Sequence, residues 1–79
     1  MSYLKDFVEQ MAKAVVDSPE AVKVQEVEGE QTSILELRVA KEDIGKVIGK
    51  EGKTAKAMRT ILGAASQKMK KKIHLEIME

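Results

Sequence analysis

Apolar positions along this chain change their period several times, and each change marks an element. From Ser2 to Val16, Leu4, Phe7, Val8, Met11 and Val15 recur at helical spacing, with Lys5, Asp6, Glu9 and Lys13 elsewhere. That spacing predicts an amphipathic helix with one apolar stripe. Asp17-Ser18-Pro19 ends it, because proline disfavours helical geometry at the residue before it and has no N–H to continue the ladder. Two β-rich runs follow: Ala21–Glu28, with Val22 and Val24 alternating, and Thr32–Val39, with Leu35, Leu37 and Val39 alternating. Gly29-Glu30 falls between them as a hairpin signal. Val27 breaks the parity of the first run and predicts a bulge or an early strand end. The last run, Ile73–Met78, sets Ile73, Leu75 and Ile77 on one face of a third strand, with His74 and Glu76 on the other.

Between the second and third strands lie two helical stretches, Lys41–Ile48 and Lys53 to about Lys68, separated by Gly49-Lys50-Glu51-Gly52. The order is α-β-β-α-α-β. A hairpin makes the first two strands antiparallel, and a helical crossover lets the second and third lie parallel. The expected fold is α+β: a three-stranded mixed sheet with three helices on one face, one domain over residues 1–79.

Composition narrows the function. The 79 residues suffice for one small core, and the absence of cysteine removes disulfides and thiolate metal sites. No apolar run is long enough to span a bilayer and no signal pattern opens the chain, so a cytoplasmic protein is expected. The formal net charge is only +1. Its distribution is uneven: residues 41–72 hold ten bases and three acids, whereas residues 1–40 hold four bases and eight acids. A cationic zone of that density suits a polyanion, although lysines also simply solvate helical surfaces.

The specific chemistry sits in Ile44-Gly45-Lys46-Val47-Ile48-Gly49-Lys50-Glu51-Gly52-Lys53-Thr54. Glycine at both ends of a four-residue turn lets backbone N–H groups face a sugar-phosphate chain without side-chain obstruction. The residues after the turn open a helix, whose N-terminus adds free N–H groups and a favourable dipole. Ile44, Val47 and Ile48, at i, i+3 and i+4, are expected to fix the preceding helix to the core, while Gly45 leaves room for a base. Lys46, Lys50, Lys53, Lys56 and Arg59 supply positive charge nearby.

Ile44–Gly52 resembles the I-G-x-x-I-G-x-x-G signature of KH domains, and the helix-first, strand-last order resembles their type II arrangement. The resemblance covers nearly the whole chain and is greatest to small stand-alone bacterial KH proteins. It implies binding of single-stranded RNA, with a role as an RNA chaperone or post-transcriptional regulator. It also implies pairing with itself or with a larger Jag-type KH protein linked to cell-wall and cell-shape control. By that resemblance Gly49, Lys50, Glu51 and Gly52 hold the RNA backbone, and Gly45, Ile48, Thr54 and Ala57 line a narrow groove for bases. Glu51 departs from favourable electrostatics, since an acid repels phosphate. Lys68 to Lys72, interrupted by Met69, resembles the variable loop and would flank the groove through Lys70 and Lys71; a merely solvated loop is the alternative.

In the second long helix, Ala55, Met58, Leu62, Ala65 and Met69 form a core stripe, and Ala57, Ile61 and Ala64 form a second apolar line. Either a small domain buries a wide helical face, or Ile61 is left for a partner protein. Tyr3 and Phe7 are the only aromatic residues, which disfavours base stacking on aromatic platforms. Nothing assembles a catalytic group: His74 stands alone, Ser66 has no visible base, and the glycine turn lacks the spacing of a nucleotide-hydrolysing loop. No enzyme activity, cofactor or metal is expected. The competing function is a protein-interaction module that uses this fold mainly to dimerise.

Overall fold

The computed structural model describes residues 3–79, so Ser2, the first residue of the predicted opening helix, lies outside the described residues. Helix α1 (Tyr3–Val15) buries Val8 and Ala12 completely, with Leu4, Phe7 and Met11 packed around them. Val15 does not join the core; the chain continues helically for one more bond, from Val16 N–H to the Ala12 carbonyl, and Val16 packs inward in its place. Pro19 opens a 3₁₀ turn over Pro19–Ala21, where its missing N–H leaves no bond unmade. Strand β1 therefore starts at Lys23 and not at Ala21.

Strands β1 (Lys23–Glu28) and β2 (Thr32–Arg38) pair antiparallel in unbroken register, Val24 opposite Leu37 and Val27 opposite Ile34. The predicted bulge does not occur and the strand does not end early. Val27 lies on the open face of the sheet, paired across strands with half-buried Ile34, so its parity break marks a second face and not an irregular backbone. The hairpin is closed by the Gly29 N–H donating to the Thr32 carbonyl at 2.7 Å. Strand β3 (Lys72–Ile77) joins β2 in parallel, with Leu35 beside Leu75 and Leu37 beside Ile77. The sheet is mixed, in the order β1-β2-β3.

Ser33, Leu35 and Leu37 of the central strand are all buried toward the helices, as is Leu75 of β3. Against them lies helix α3 (Lys53–Met69), which buries Ala55, Met58 and Leu62. The stripe then leaves the core: Ala65 is half-buried and Met69 is 56% exposed. The stretch Lys41–Ile48 is not one helix. A 3₁₀ turn over Lys41–Asp43 precedes helix α2 (Ile44–Ile48), because the Asp43 side chain turns inward to accept the Ser18 N–H at 3.0 Å. The order α-β-β-α-α-β and the single helical layer otherwise stand as predicted.

Candidate nucleic-acid interface

Helix α2 is anchored chiefly through Val47, which is fully buried; Ile44 is half-buried and Ile48 is 37% exposed. So only part of the predicted core triad faces inward, and Ile48 remains accessible beside the turn. The Gly49 N–H closes α2 on the Gly45 carbonyl at 2.9 Å. Gly49 then takes φ +83°, and Glu51 and Gly52 also have positive φ, at 58° and 74°. This left-handed run reverses the chain within four residues, and the Gly52 N–H bonds the Gly49 carbonyl at 3.0 Å. A Cβ on Gly49 would lie 2.7 Å from the Thr54 backbone nitrogen, so glycine is required there on two counts.

The geometry leaves the N–H groups of Lys50 and Glu51 ahead of any carbonyl the turn can offer them, in the manner of a helix start. Both side chains are exposed. Glu51 lies 3.7 Å from Lys53, with both side chains about three-quarters in solvent, where an ion pair contributes little. The acid therefore weakens the positive field of the turn without abolishing it. Lys46 is directed elsewhere: its Nζ is 3.5 Å from the Asp17 carboxylate, at the end of α1.

Helical spacing divides the exposed surface of α3 into two flanks. Lys56, Arg59, Gly63 and Ser66 share one. Arg59 Nη2 donates to the Leu75 carbonyl at 3.2 Å, which turns this flank toward β3. Thr54, Ala57, Ile61 and Ala64 share the other, with Ile61 47% exposed. Ala57 thus lies beside Ile61 and not with Arg59. Thr54 packs against Gly49, and the space above Gly45 is open, with nothing beyond its own stretch of helix within 4 Å of where a side-chain methyl would stand.

At the other end of α3, Lys70 adopts φ 54° and caps the helix. The Lys71 N–H donates to the Ser66 carbonyl at 3.1 Å, Ser66 Oγ donates to the Lys71 carbonyl, and the Lys72 N–H donates to the Gln31 carbonyl at 2.9 Å. Lys71 Nζ sits 2.7 Å from Glu28 Oε2, with its side chain 15% exposed. The hydrogen bond from Lys71 and its charge hold the Glu28 carboxyl below its ordinary value. Of the two predicted loop cations, Lys70 is therefore exposed and Lys71 is engaged within the fold. Sequence reasoning missed this pairing, since nothing local links positions so far apart.

His74 is exposed on β3. Among the described residues no group of three or more His, Cys, Asp or Glu could hold a metal ion, and no helix is long and apolar enough to cross a membrane.

The model of the family described as "KhpA/KhpB, KH domain" matches residues 5–77. The chain is 53% identical to the RNA-binding protein KhpA of Aquifex aeolicus (strain VF5) over all 79 residues, covering 100% of both chains. It is 54% identical to the RNA-binding protein KhpA of Clostridium acetobutylicum over 74 residues, covering 94% of this chain and 99% of the relative. The protein of the same name from Chlamydia caviae is 53% identical over 76 residues, covering 96% of this chain and 97% of the relative. No solved structure matches the chain significantly.

Proposed function

The chain belongs to the KhpA/KhpB KH-domain family, and from that membership we propose that it binds single-stranded RNA through the turn Gly49–Gly52 and the adjoining faces of α2 and α3. The observation that carries this reading is the left-handed turn. It holds two exposed residues, Lys50 and Glu51, between glycines at the head of α3, with their N–H groups unclaimed by the turn and with Lys53, Lys56 and Arg59 following. Backbone donors and surrounding cations suit a sugar-phosphate chain, while the open space at Gly45 and the exposed Ile48 suit an unstacked base. With few aromatics and an acid in the turn, the affinity is modest and the base preference broad. Such binding fits an RNA chaperone or post-transcriptional regulator acting in the cytoplasm, within the control of cell wall and cell shape.

Pairing is a second part of the reading, favoured by Ile61, which is exposed on a flank of small residues. That flank suits a second copy of the chain or a Jag-type KH protein.

Replacing Lys50 and Glu51 together by Asp tests the RNA site. Both glycines remain, one cation is lost and two acids flank the phosphate path. Exposed substitutions change stability by no more than about 0.5 kcal/mol, so thermal unfolding stays where it was. RNA affinity falls on the order of tenfold to a hundredfold, from repulsion and the loss of a charge-assisted contact. A variant that folds normally and binds RNA like the parent would reduce Gly49–Gly52 to a plain turn.

A further inference from the structure

The helices cover one face of the sheet, and register sets the side chains of the open face in rows across the strands. Lys23 and Arg38 form one row, and Gln25, Glu36 and Glu76 the next. Val27, Ile34 and His74 form the third, and Thr32 and Lys72 the last. Beyond it lies the hairpin tip with exposed Glu30. Along the strands the face therefore reads basic, acidic, apolar, basic, acidic, with about 6.8 Å between rows.

This arrangement is unfavourable in a lone chain. Lys23 stands directly opposite Arg38 and Glu36 directly beside Glu76, and like charges so placed repel. Among the described residues, none of these four, nor Lys72 or Glu30, lies within ion-pair distance of an opposite charge in its own chain. Exposed Val27 and half-buried Ile34 leave an apolar centre open between the charged rows.

The order of the rows is self-complementary. A twofold axis crossing the strands at Ile34 lays a second copy antiparallel on the first, sheet against sheet. Val27 and Ile34 then meet the same residues of the other copy, Glu76 meets its Lys72, and Glu36 meets its Thr32 beside that lysine. Lys23 and Arg38 meet Glu30 of the other hairpin, and a hollow of about 260 Å³ lined by those two cations leaves room for the carboxylate.

Other registers lose this match. Moving the axis one residue toward Arg38 sets Ile34 against Glu36, and moving it two sets Glu36 and Glu76 against themselves. Moving it three pairs Glu36 with Arg38 but leaves Val27 and Ile34 uncovered. Moved one residue the other way, Glu36 meets Glu30. An axis along the strands sets Arg38 on Arg38 and Glu36 on Glu36. Three strands about 4.8 Å apart and seven residues at about 3.4 Å each give a face of roughly 14 by 24 Å. A contact of that size falls short of the roughly 800 Å² per partner of a standard interface, so it is weak and forms as concentration rises.

We propose that the open face of the sheet is a second self-contact of this chain, joining copies sheet to sheet about a twofold axis at Ile34. It is separate from the pairing proposed above for Ile61, which lies in the helical layer on the opposite side of the sheet. Two such surfaces on one chain carry assembly beyond a dimer and leave the glycine turn, also in the helical layer, uncovered.

The test uses Ile61→Asp as the background, so that the other pairing does not contribute. Sedimentation of that chain from about 10 µM to about 1 mM should show reversible growth beyond a monomer. Adding Glu76→Lys sets lysine against lysine, and adding Lys72→Glu instead sets glutamate against glutamate, each twice across the axis. Either change should weaken association about tenfold or more. The two variants mixed should associate as well as the background chain, because each offers the charge the other lacks. Misfolding cannot produce that rescue.

A background chain that stays monomeric throughout, or associates equally with and without the charge changes, would overturn the sheet contact and leave the Ile61 pairing and the RNA reading standing. In the parent chain, the amide resonances of Val27 and Ile34 should shift with concentration, and in the Glu76→Lys variant they should stay still. Resonances that ignore concentration but move on adding mixed-base RNA would make the face a nucleic-acid surface and overturn the self-contact.

Discussion

The buried carboxylate of Asp43, 2% exposed, accepts the backbone N–H of Ser18 at 3.0 Å and so ties the end of α1 to the start of α2. This is the contact that sets where α2 begins, and α2 in turn delivers the chain to Gly49. Asp43→Ala removes the acceptor and leaves a part-buried donor without its partner, a loss of about 1–3 kcal/mol. At roughly 4–8 °C per kcal/mol for a domain of this size, thermal unfolding followed by circular dichroism resolves the change easily. Asp43→Asn keeps a carbonyl oxygen in place and recovers much of the difference. An alanine variant as stable as the parent would remove this bond from the supports of α2.

Two glycines of the same motif respond oppositely to one added methyl. Gly49→Ala meets a positive φ and a backbone nitrogen 2.7 Å away, so it destabilises the fold by about 1–2 kcal/mol or more. Gly45→Ala meets open space within a helix, where alanine is favoured by up to about 1 kcal/mol, so unfolding moves upward or not at all. On the RNA-binding reading proposed above, its RNA affinity nevertheless drops, because the methyl fills open space offered to a base. Urea unfolding and RNA titration on both variants check this. Loss of stability at position 45, or unchanged RNA binding there, would contradict it.

The hairpin and the loop after α3 are coupled by charge. Because Lys71 holds the Glu28 carboxyl below its ordinary 4.5, the stability from that pair is fully present above this value and is lost as pH falls through the lower folded value. Glu28→Gln abolishes that dependence, so parent and variant differ near neutral pH and converge in acid. Denaturant unfolding at about pH 7 and about pH 3 measures the two differences. A gap that stays constant would place the acid sensitivity elsewhere.

Ile61→Asp yields a folded chain, since the side chain is already 47% exposed and adds no buried charge. If the Ile61 flank pairs two subunits, size exclusion with light scattering shows the parent as a dimer and the variant as a monomer. Unfolding of the variant would instead mean that Ile61 supports the core.

The element order and the turn were legible because each rests on short-range pattern. The period of Leu35 and Leu37 in β2, the spacing of Met58 and Leu62 in α3, and the glycines at 49 and 52 all act within one or two turns of chain. What escaped depends on where an element ends relative to its neighbours. Met69 and Val15 continue good helical stripes but are exposed in the last turns of their helices, and Ala12, too small to stand out in a stripe, is fully buried. Asp43 reads as an ordinary turn acid until the fold brings Ser18 to it. Likewise, Lys71 is indistinguishable from Lys70 in sequence; only Glu28, 43 positions away, separates an ion-paired lysine from an exposed cation. The division of α3 into an Arg59 flank and an Ile61 flank was implicit in the spacing, but which flank faces β3 required the bond to Leu75.

That bond to Leu75 has a bearing on solubility. Backbone bonds from Lys72 and Met78 into β2 mean that the alternate residues Ile73, Leu75 and Ile77 turn their polar groups to the outer side of β3. Such a margin is a template on which a stray strand can assemble. Arg59 closes its midpoint, placing a permanent positive charge where an incoming chain would have to lie flat. One guanidinium thus guards the edge of the sheet against self-association and, on the reading proposed above, also draws a polyanion to the domain. A substitution at position 59 changes both at once, and weakened RNA binding in such a variant is interpretable only beside its aggregation state.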